Sequence, residues 1–307
     1  MVKYNYSRKR RNSSNYYTKN MKLANEWKDY KIIDMADGQK LEKWGDVILS
    51  RPDPQIIWKD KSFPKKWKEI NATYHRSSSG GGSWEFNKKM PKQWQIKYKN
   101  LTFNIKPMGF KHTGLFPEQA VNWDWMINKI KSEKREIKVL NLFAYTGGAT
   151  VACASAGASV CHVDSSKGMT TWAKENIESS GLKDKPVRFI VDDVVKFVNR
   201  EIRRGNKYDA VIMDPPSYGR GAKGEVWQFE NNIYDLVKLC TNVLSDNPLF
   251  FLINSYTTGI SSKVLEDILN LTVAKKYKGK LESGEIGIPM ENSSLVLPCG
   301  IYGRWEI

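Results

Sequence analysis

The stretch Val139-Leu-Asn-Leu-Phe-Ala-Tyr-Thr-Gly-Gly-Ala149 decides the fold. Residues 138–143 form a short apolar run of the kind that a buried parallel strand has. Glycines interrupt the run, and residues 149–156, which end at Gly157, are predicted to be a helix. Strand, glycine turn and helix in this order form a cradle for a nucleotide-like ligand. Glycine lets the backbone approach the ligand, and the helix N-terminus presents free N–H groups.

The turn differs from the two common phosphate-binding motifs. Phe143 and Tyr145 stand at the first two glycine positions of G-x-G-x-x-G, and only Gly147 matches the third. The P-loop pattern is also missing from the sequence. A ligand without phosphates suits such a turn, and S-adenosylmethionine (SAM) is the candidate that we favour. The alternative is an ordinary strand-to-helix turn of an α/β sheet.

Strand-like and helix-like segments alternate from residue 138 onward. Strands are predicted at residues 138–143, 159–164, 187–191, 208–213 and 249–255, and near 278–282 and 295–302. Helices are predicted at residues 118–131, 149–156, 167–179, 194–204, 228–244 and 262–271. Regular alternation predicts an α/β, Rossmann-like fold, in which helices cover both faces of a mainly parallel sheet.

The chain divides into three predicted parts. Residues 1–20 are a basic arm without acidic residues and are expected to be disordered. Residues 21–108 are expected to form a small, mainly β domain that could bind RNA, and residues 109–307 form the α/β domain.

Short β-like runs and a glycine-rich loop punctuate the predicted β domain. The runs lie at residues 46–49, 55–58, 94–99 and 101–105, and residues 77–83 are predicted to be a flexible loop. Four tryptophans of this domain could either stack on bases or fill its core, and the core is favoured: Trp58, Trp67, Trp84 and Trp94.

Charge is distributed very unevenly. Residues 1–140 contain 30 Lys and Arg against 14 Asp and Glu, whereas residues 141–307 contain 19 of each. Residues 1–140 therefore carry the entire net charge of +16. A polyanion bound mainly by this half explains the asymmetry, with RNA first and DNA second. A general preference for lysine is the alternative, but it should affect both halves alike.

Cysteine and histidine usage argues against a metal site. The four cysteines are Cys153, Cys161, Cys240 and Cys299; none forms a C-x-x-C pair, and only three histidines occur. Three of the cysteines lie in segments that are predicted to belong to the core, where a small buried thiol is the usual state. Free thiols of this kind fit a reducing cytoplasm. With no run of eighteen apolar residues and no signal-peptide pattern, we expect a cytoplasmic protein without a membrane partner. The oligomeric state is left open.

Acidic residues follow the predicted parallel strands where ligands bind in such sheets. Asp164 can accept hydrogen bonds from a ribose diol. Asp192 and Asp193 follow the next strand, and Asp193 is favoured as the acceptor of the adenine amino group. Asp214 follows the fourth strand. Each acid alone is weak evidence. Together with Gly147, however, the acids lie at the ends of four successive predicted strands, and a dehydrogenase would explain only Asp164.

Asp214-Pro-Pro-Ser-Tyr218 is the most specific motif. The prolines fix the backbone, so that neighbouring carbonyls and the Asp214 carboxylate converge on one point. Such acceptors suit the amine of a base, and Tyr218 could stack on that base. The alternative is a rigid turn after a buried strand.

These motifs resemble those of class I SAM-dependent methyltransferases, and more closely the family that contains the large-subunit ribosomal RNA methyltransferases of the cytosine-C5 and guanine-N7 type. The resemblance covers roughly residues 111–305 and includes Thr113-Gly-Leu-Phe-Pro-Glu-Gln119. It implies a seven-stranded sheet with an antiparallel last strand, SAM as methyl donor, and an accessory N-terminal RNA-binding domain. Residues 21–108 depart from the usual N-terminal domain of that family.

The resemblance also assigns site residues. The cofactor-binding residues that it implies are Thr113, Phe116, Gln119, Asn141, Phe143, Ala144, Tyr145, Gly147, Asp164, Ser165, Asp192, Asp193 and Asp214. The catalytic residues that it implies are Asp214, Pro215, Pro216 and Tyr218.

One departure from the family concerns the acceptor atom. Cytosine-C5 members have a cysteine just after the fifth strand, where this chain reads Ile253-Asn-Ser-Tyr-Thr-Thr-Gly259. C5 attack requires a thiolate to activate the ring, and Ser255 and Tyr256 are poor nucleophiles. Transfer to a ring or exocyclic nitrogen needs no covalent step. The sequence therefore favours a nitrogen acceptor.

The leading hypothesis is a SAM-dependent methyltransferase that modifies a base nitrogen of ribosomal RNA. A protein or small-molecule N-methyltransferase is one alternative, and the basic N-terminal half argues against it. A non-catalytic RNA-binding protein that retains a SAM pocket is the other, and the intact Asp-Pro-Pro turn argues against it.

Overall fold

The computed structural model describes residues 21–77, 81–220, 224 and 226–307. The predicted disordered arm, residues 1–20, lies outside the described residues, as do residues 78–80 of the predicted loop. The end of that predicted loop, from Gly82, already belongs to a strand, so the loop is shorter than expected.

Strands and helices follow the predicted alternation. The strands are β1 (Met21–Leu23), β2 (Tyr30–Ala36), β3 (Gln39–Trp44), β4 (Val47–Pro52), β5 (Ala72–Arg76), β6 (Gly82–Phe86), β7 (Trp94–Tyr98), β8 (Leu101–Ile105), β9 (Lys138–Leu142), β10 (Ser159–Asp164), β11 (Val187–Val191), β12 (Ala210–Met213), β13 (Tyr218–Arg220), β14 (Val226–Gln228), β15 (Phe250–Ser255), β16 (Lys280–Pro289) and β17 (Val296–Glu306). The helices are α1 (Ala120–Ser132), α2 (Gly148–Ser155), α3 (Lys167–Ser179), α4 (Val194–Arg204), α5 (Phe229–Cys240), α6 (Ser262–Leu271) and α7 (Val273–Lys276).

The large sheet has eight strands in the order β1-β16-β17-β15-β12-β9-β10-β11. β15, β12, β9, β10 and β11 are parallel, and β17 runs antiparallel between β15 and β16. All seven predicted strands are present, and the predicted α/β fold is confirmed. β1 adds an eighth strand that pairs with β16, so the described chain begins inside the large sheet.

Alternate residues of each central strand pack on opposite faces of the sheet, because side chains alternate along a strand. Ala210 and Ile212 of β12 contact the core that α1 and α2 cover. Val211 and Met213 of the same strand contact the core that α4, α5 and α6 cover. Burial on both faces explains why these strands read as continuous apolar runs.

The N-terminal part is mainly β, as predicted. β2 to β6 form a five-stranded sheet in chain order, and β7 and β8 form a hairpin whose turn has Lys99 at φ 52°. The predicted strand at residues 55–58 is wrong: the segment is irregular, and Pro54 shortly before it cannot donate a ladder hydrogen bond. β4 extends instead to Pro52, beyond the predicted run at residues 46–49.

The N-terminal part and the α/β part share one hydrophobic core. Tyr30, Trp44 and Phe103 of the former belong to the same cluster as Trp123 of α1 and Val151 of α2. The domain boundary at residue 108 remains a prediction. The hydrophobic core is continuous across this position.

The four tryptophans of the N-terminal part that could stack on bases are half-buried, and the indole N–H of each donates a hydrogen bond within the protein. Trp58 donates to Met35 O, Trp67 to Asp34 Oδ2, Trp84 to Met108 O and Trp94 to Trp44 O. Their N–H groups hold loops against strands, which favours the core role over base stacking.

None of the helices among the described residues is both long enough and apolar enough to cross a membrane.

Candidate active site

The turn after β9 has an unusual backbone. Phe143 and Tyr145 adopt left-handed conformations, with φ of 53° and 51°, and Gly147 follows at 81°. Bulky residues rarely adopt positive φ, and such strain persists where the surrounding structure holds it. At Gly148 an added Cβ would lie 2.8 Å from the Trp123 ring, so glycine lets α2 begin directly against α1. The sequence shows the glycines of this turn but not the strained aromatic residues.

Asp164 fixes this turn from the end of β10. Its Oδ2 accepts from Tyr145 N and its Oδ1 from Ser166 N, both at 2.8 Å. Burial raises the pKa of the Asp164 carboxyl, whereas the two backbone N–H groups lower it. Each oxygen still has a further lone pair, so a ligand hydroxyl can be accepted beside the turn.

Asp192 and Asp193 have structural partners after β11. Asp193 Oδ1 accepts from Lys196 N at 2.9 Å and caps α4, and Asp192 forms an ion pair with Arg200. These contacts stabilise the start of α4. The adenine role expected for Asp193 stays a prediction.

Asp214 lies at the end of β12 in a cavity that extends from the turn after β9. The predicted site residues that line this cavity are Phe116, Gln119, Asn141, Phe143, Ala144, Tyr145 and Asp214. Burial, with a contribution from Glu118, raises the pKa of the Asp214 carboxyl to about 7. A carboxyl group that titrates near neutrality inside a cavity is a candidate for proton chemistry.

Other predicted site residues lie outside this lining. Thr113 is fully buried, and its Oγ1 has no hydrogen-bond partner among the described residues. Ser165 is exposed after β10. Tyr218 is 51% exposed on the hairpin β13–β14, where its hydroxyl accepts from Arg220 Nε at 2.9 Å.

Trp227 links the two turns of the site and was not predicted. Its ring lies 5.0 Å from that of Phe143, and its Nε1 donates to Pro216 O at 2.7 Å. The Pro216 carbonyl, predicted to face the substrate, therefore already has a partner inside the protein. Trp227 stands eleven residues after Pro216, and only the pairing of β13 with β14 brings it back.

A polar cluster beside the cavity was also missed. Gln119 Nε2 donates to the Tyr256 hydroxyl at 2.8 Å, and the Tyr256 ring lies 5.5 Å from Phe116. Glu118 is 6% exposed beside the same hydroxyl, and burial raises the pKa of its carboxyl. The sequence contained one sign of this cluster, because Tyr256 stands at the position where cytosine-C5 enzymes need a cysteine.

Neither a metal centre nor a disulfide is found in the part of the chain that the structure describes. No group of three potential ligands assembles there. All four cysteines are free, and Cys153, Cys161 and Cys240 are buried as expected.

Comparisons with known proteins define the class. A family model described as S-adenosylmethionine-dependent methyltransferase matches residues 70–276. The crystal structure of a SAM-dependent methyltransferase from Agrobacterium tumefaciens is 35% identical, covers 91% of each chain and has a TM-score of 0.86. The chain belongs to the SAM-dependent methyltransferase family.

More distant and partial relatives add detail. A putative SAM-dependent methyltransferase from Streptococcus mutans and a putative methyltransferase in complex with SAH each share the fold at 19% identity and a TM-score of 0.70, over 91% of this chain and 76% of the other. The ribosomal RNA large subunit methyltransferase K/L of Shewanella sp. strain MR-4 is 30% identical over 57% of this chain and 26% of the relative. Methyltransferase K of Neisseria meningitidis is 28% identical over 53% of this chain and 45% of the relative. The chain thus spans less than half the length of these curated relatives.

SAM, the cofactor of the family, fits the residues present. Residues 143–146 of the turn after β9 line the cavity, and none of the described residues that line it is basic, so nothing among them requires a phosphate. Asp214 lines the cavity, and Asp164 is joined to it through the hydrogen bond from Tyr145 N, so both carboxylates offer acceptors near the predicted ligand without phosphates.

Proposed function

We propose that the chain transfers a methyl group from SAM to a base nitrogen of ribosomal RNA. The proposal rests on the position of Asp214, which lines the cavity that begins at the turn after β9. When bound, SAM supplies a methyl group on a positively charged sulfur. The protein must then position the acceptor nitrogen in line with that methyl group and accept its proton or developing charge.

Asp214 and the Pro215 carbonyl are the acceptors that we assign to the substrate. The Pro216 carbonyl is engaged by Trp227 Nε1, and this hydrogen bond fixes the turn. With a pKa of about 7, the Asp214 carboxyl is half ionised at neutral pH and can take a proton from the attacking amine. We assign base stacking to Tyr218, and its exposure beside the turn supports that role.

A nitrogen acceptor agrees with the protonation of the Cys299 thiol. Tyr256 stands where C5 enzymes need their cysteine, and Cys299 lies on the neighbouring strand β17 just before Gly300, which approaches the Tyr256 ring. Burial and Glu118 raise the pKa of the Cys299 thiol well above its usual range. A protonated thiol cannot add to a pyrimidine ring.

RNA as the substrate is supported by the names of the curated relatives and by the charge of the chain. Those relatives are ribosomal RNA large subunit methyltransferases. The net charge of +16 falls entirely on residues 1–140, which suits a phosphate backbone. We infer that this half holds the RNA while the α/β part performs the transfer.

Mapping of modified nucleotides tests the function. We expect ribosomal RNA from cells that lack the gene to have lost one methylated base, which the purified protein restores with SAM in vitro. Mass spectrometry of the digested RNA identifies the base and the methylated atom. An unchanged modification map, or a methyl group on carbon, would contradict the proposal.

Asp164→Ala should weaken SAM binding by about 10- to 100-fold. The substitution removes an acceptor for the ribose and the partner of Tyr145 N, and a hydrogen bond to a charged group contributes about 1.5–3 kcal/mol. Titration calorimetry measures the affinity, with the exposed Asp184→Ala as the matched control. Wild-type affinity in a folded Asp164→Ala protein would remove this residue from the cofactor site.

A further inference from the structure

Lys111 is a partly buried lysine without an acidic partner. Its Nζ lies 3.4 Å from the carbonyl oxygen of Pro52, and no carboxylate among the described residues forms an ion pair with it. Withdrawing an ammonium group from water is costly unless an anion compensates it. A lone carbonyl supplies only part of that compensation, so the position favours an anionic ligand.

Of the three cations that act on Lys111, Arg51 is paired with Glu42 and Lys40 with Asp53, so Arg76 adds the positive charge that is not compensated by an ion pair among the described residues. Arg51 Nη1 donates to the Lys111 carbonyl oxygen at 3.0 Å, which fixes the backbone there. Lys40 is already paired with Asp53 at 3.2 Å. Burial lowers the pKa of Lys111, as do Lys40, Arg51 and the exposed Arg76, against an opposing effect of Asp53.

His112 connects this cationic position to the cavity. Its ring centroid lies 5.3 Å from that of Phe116, and Phe116 lines the same cavity as Asp214. Burial lowers the pKa of His112, and Arg51, Lys111 and Lys40 act in the same direction, so that the pKa falls to about 4. The imidazole is therefore neutral at pH 7 and can respond to a nearby anion.

We propose that Lys111, together with Arg76 and His112, binds a backbone phosphate of the nucleotide whose base enters the Asp214 cavity. A base that leaves its stack carries its own phosphates to the mouth of the pocket. Arg76 is exposed and can adjust to the phosphate, whereas Lys111 is held in place by the Arg51 contact. The identification of the ligand as an RNA phosphate rests on the proposed function, whereas the prediction that a phosphate group binds at this position does not.

Histidine NMR tests the site without any methyl transfer. Inorganic phosphate and adenosine 5′-monophosphate should shift the ring signals of His112 saturably and raise its pKa above about 4, because an anion stabilises the imidazolium. Adenosine and matched NaCl should have no such effect. The chain has three histidines, and the buried His162 provides an internal reference.

Variants of Lys111 decide whether this side chain is responsible. Lys111→Gln should abolish the response of His112, and Lys111→Arg, which keeps the charge, should retain it. Lys129→Gln removes a half-buried lysine that is paired with Glu306 at 3.0 Å, and it should respond like the wild type. A wild-type His112 that responds to neither phosphate probe, or a Lys111→Gln protein that still responds, would overturn the inference.

Binding of a single-stranded RNA separates this site from the proposed function. Lys111→Gln should raise KM for RNA and lower the log–log salt slope of binding by about 0.7, the value for one phosphate contact on a single strand. SAM affinity should not change. A His112 response to phosphate in a protein that methylates no RNA would leave the site intact and contradict the proposed function alone. An unaltered RNA salt slope in Lys111→Gln would instead contradict the site.

Discussion

Asp214→Ala should reduce methyl transfer by about 10²–10⁴-fold while SAM still binds. The substitution removes the carboxylate that we assign to the acceptor nitrogen, and it leaves the turn after β9 and its Asp164 contacts in place. Single-turnover methylation of ribosomal RNA measures the rate, and calorimetry measures SAM binding in the same protein. Asp184→Ala, an exposed acid, is the control.

The pH profile separates a proton acceptor from a passive contact. Burial and Glu118 raise the pKa of Asp214 to about 7, so the ionised form accumulates as pH rises through 7. The wild-type rate should rise over this window. Asp214→Asn keeps a carbonyl acceptor but cannot titrate, so its rate should be lower and flat there. Full activity in folded Asp214→Ala, or the same rise in Asp214→Asn, would remove Asp214 from the chemistry.

Arg51→Met should destabilise the protein by about 3–5 kcal/mol, because it leaves a buried carboxylate without its cation. Arg51 Nε and Nη2 bind both oxygens of Glu42 at 2.6 and 2.8 Å, and Glu42 is fully buried. Urea unfolding measures the loss. Lys66→Met, which breaks an exposed pair with Glu69, should cost less than about 1 kcal/mol.

The stability of the protein in acid should depend on the same ion pair between Arg51 and Glu42. Burial by itself raises the pKa of Glu42, but Arg51 and Lys40 outweigh it and lower the pKa to about 2. The native carboxylate binds fewer protons than the unfolded one, so its contribution is present above the ordinary pKa and is lost as pH falls towards 2. Arg51→Met should flatten this dependence, and Arg51→Met with Glu42→Gln should recover part of the stability. An Arg51→Met protein as stable as the wild type would contradict the importance of the pair.

The sequence by itself determined the α/β alternation and the location of the site in the chain. Buried parallel strands must be apolar on both faces, so β9, β10 and β12 are visible as short runs with clear ends. Their carboxyl ends meet at one edge, and the residues that follow them, Asp164 and Asp214, could be read as neighbours. The mainly β character of residues 21–108 was also predictable, but the irregular segment at 55–58 was not, since a short apolar run has no sign of its pairing.

Only the tertiary structure decided which groups face one another across the chain. Trp227 reaches Pro216 because a hairpin folds back, and Tyr256 reaches Gln119 over 137 positions. Arg51 of the N-terminal sheet donates a hydrogen bond to the carbonyl oxygen of Lys111, although 60 positions separate them. Local periodicity depends on near neighbours along the chain, whereas these contacts, and the burial that raises the pKa of Asp214, arise only when distant segments exclude water together.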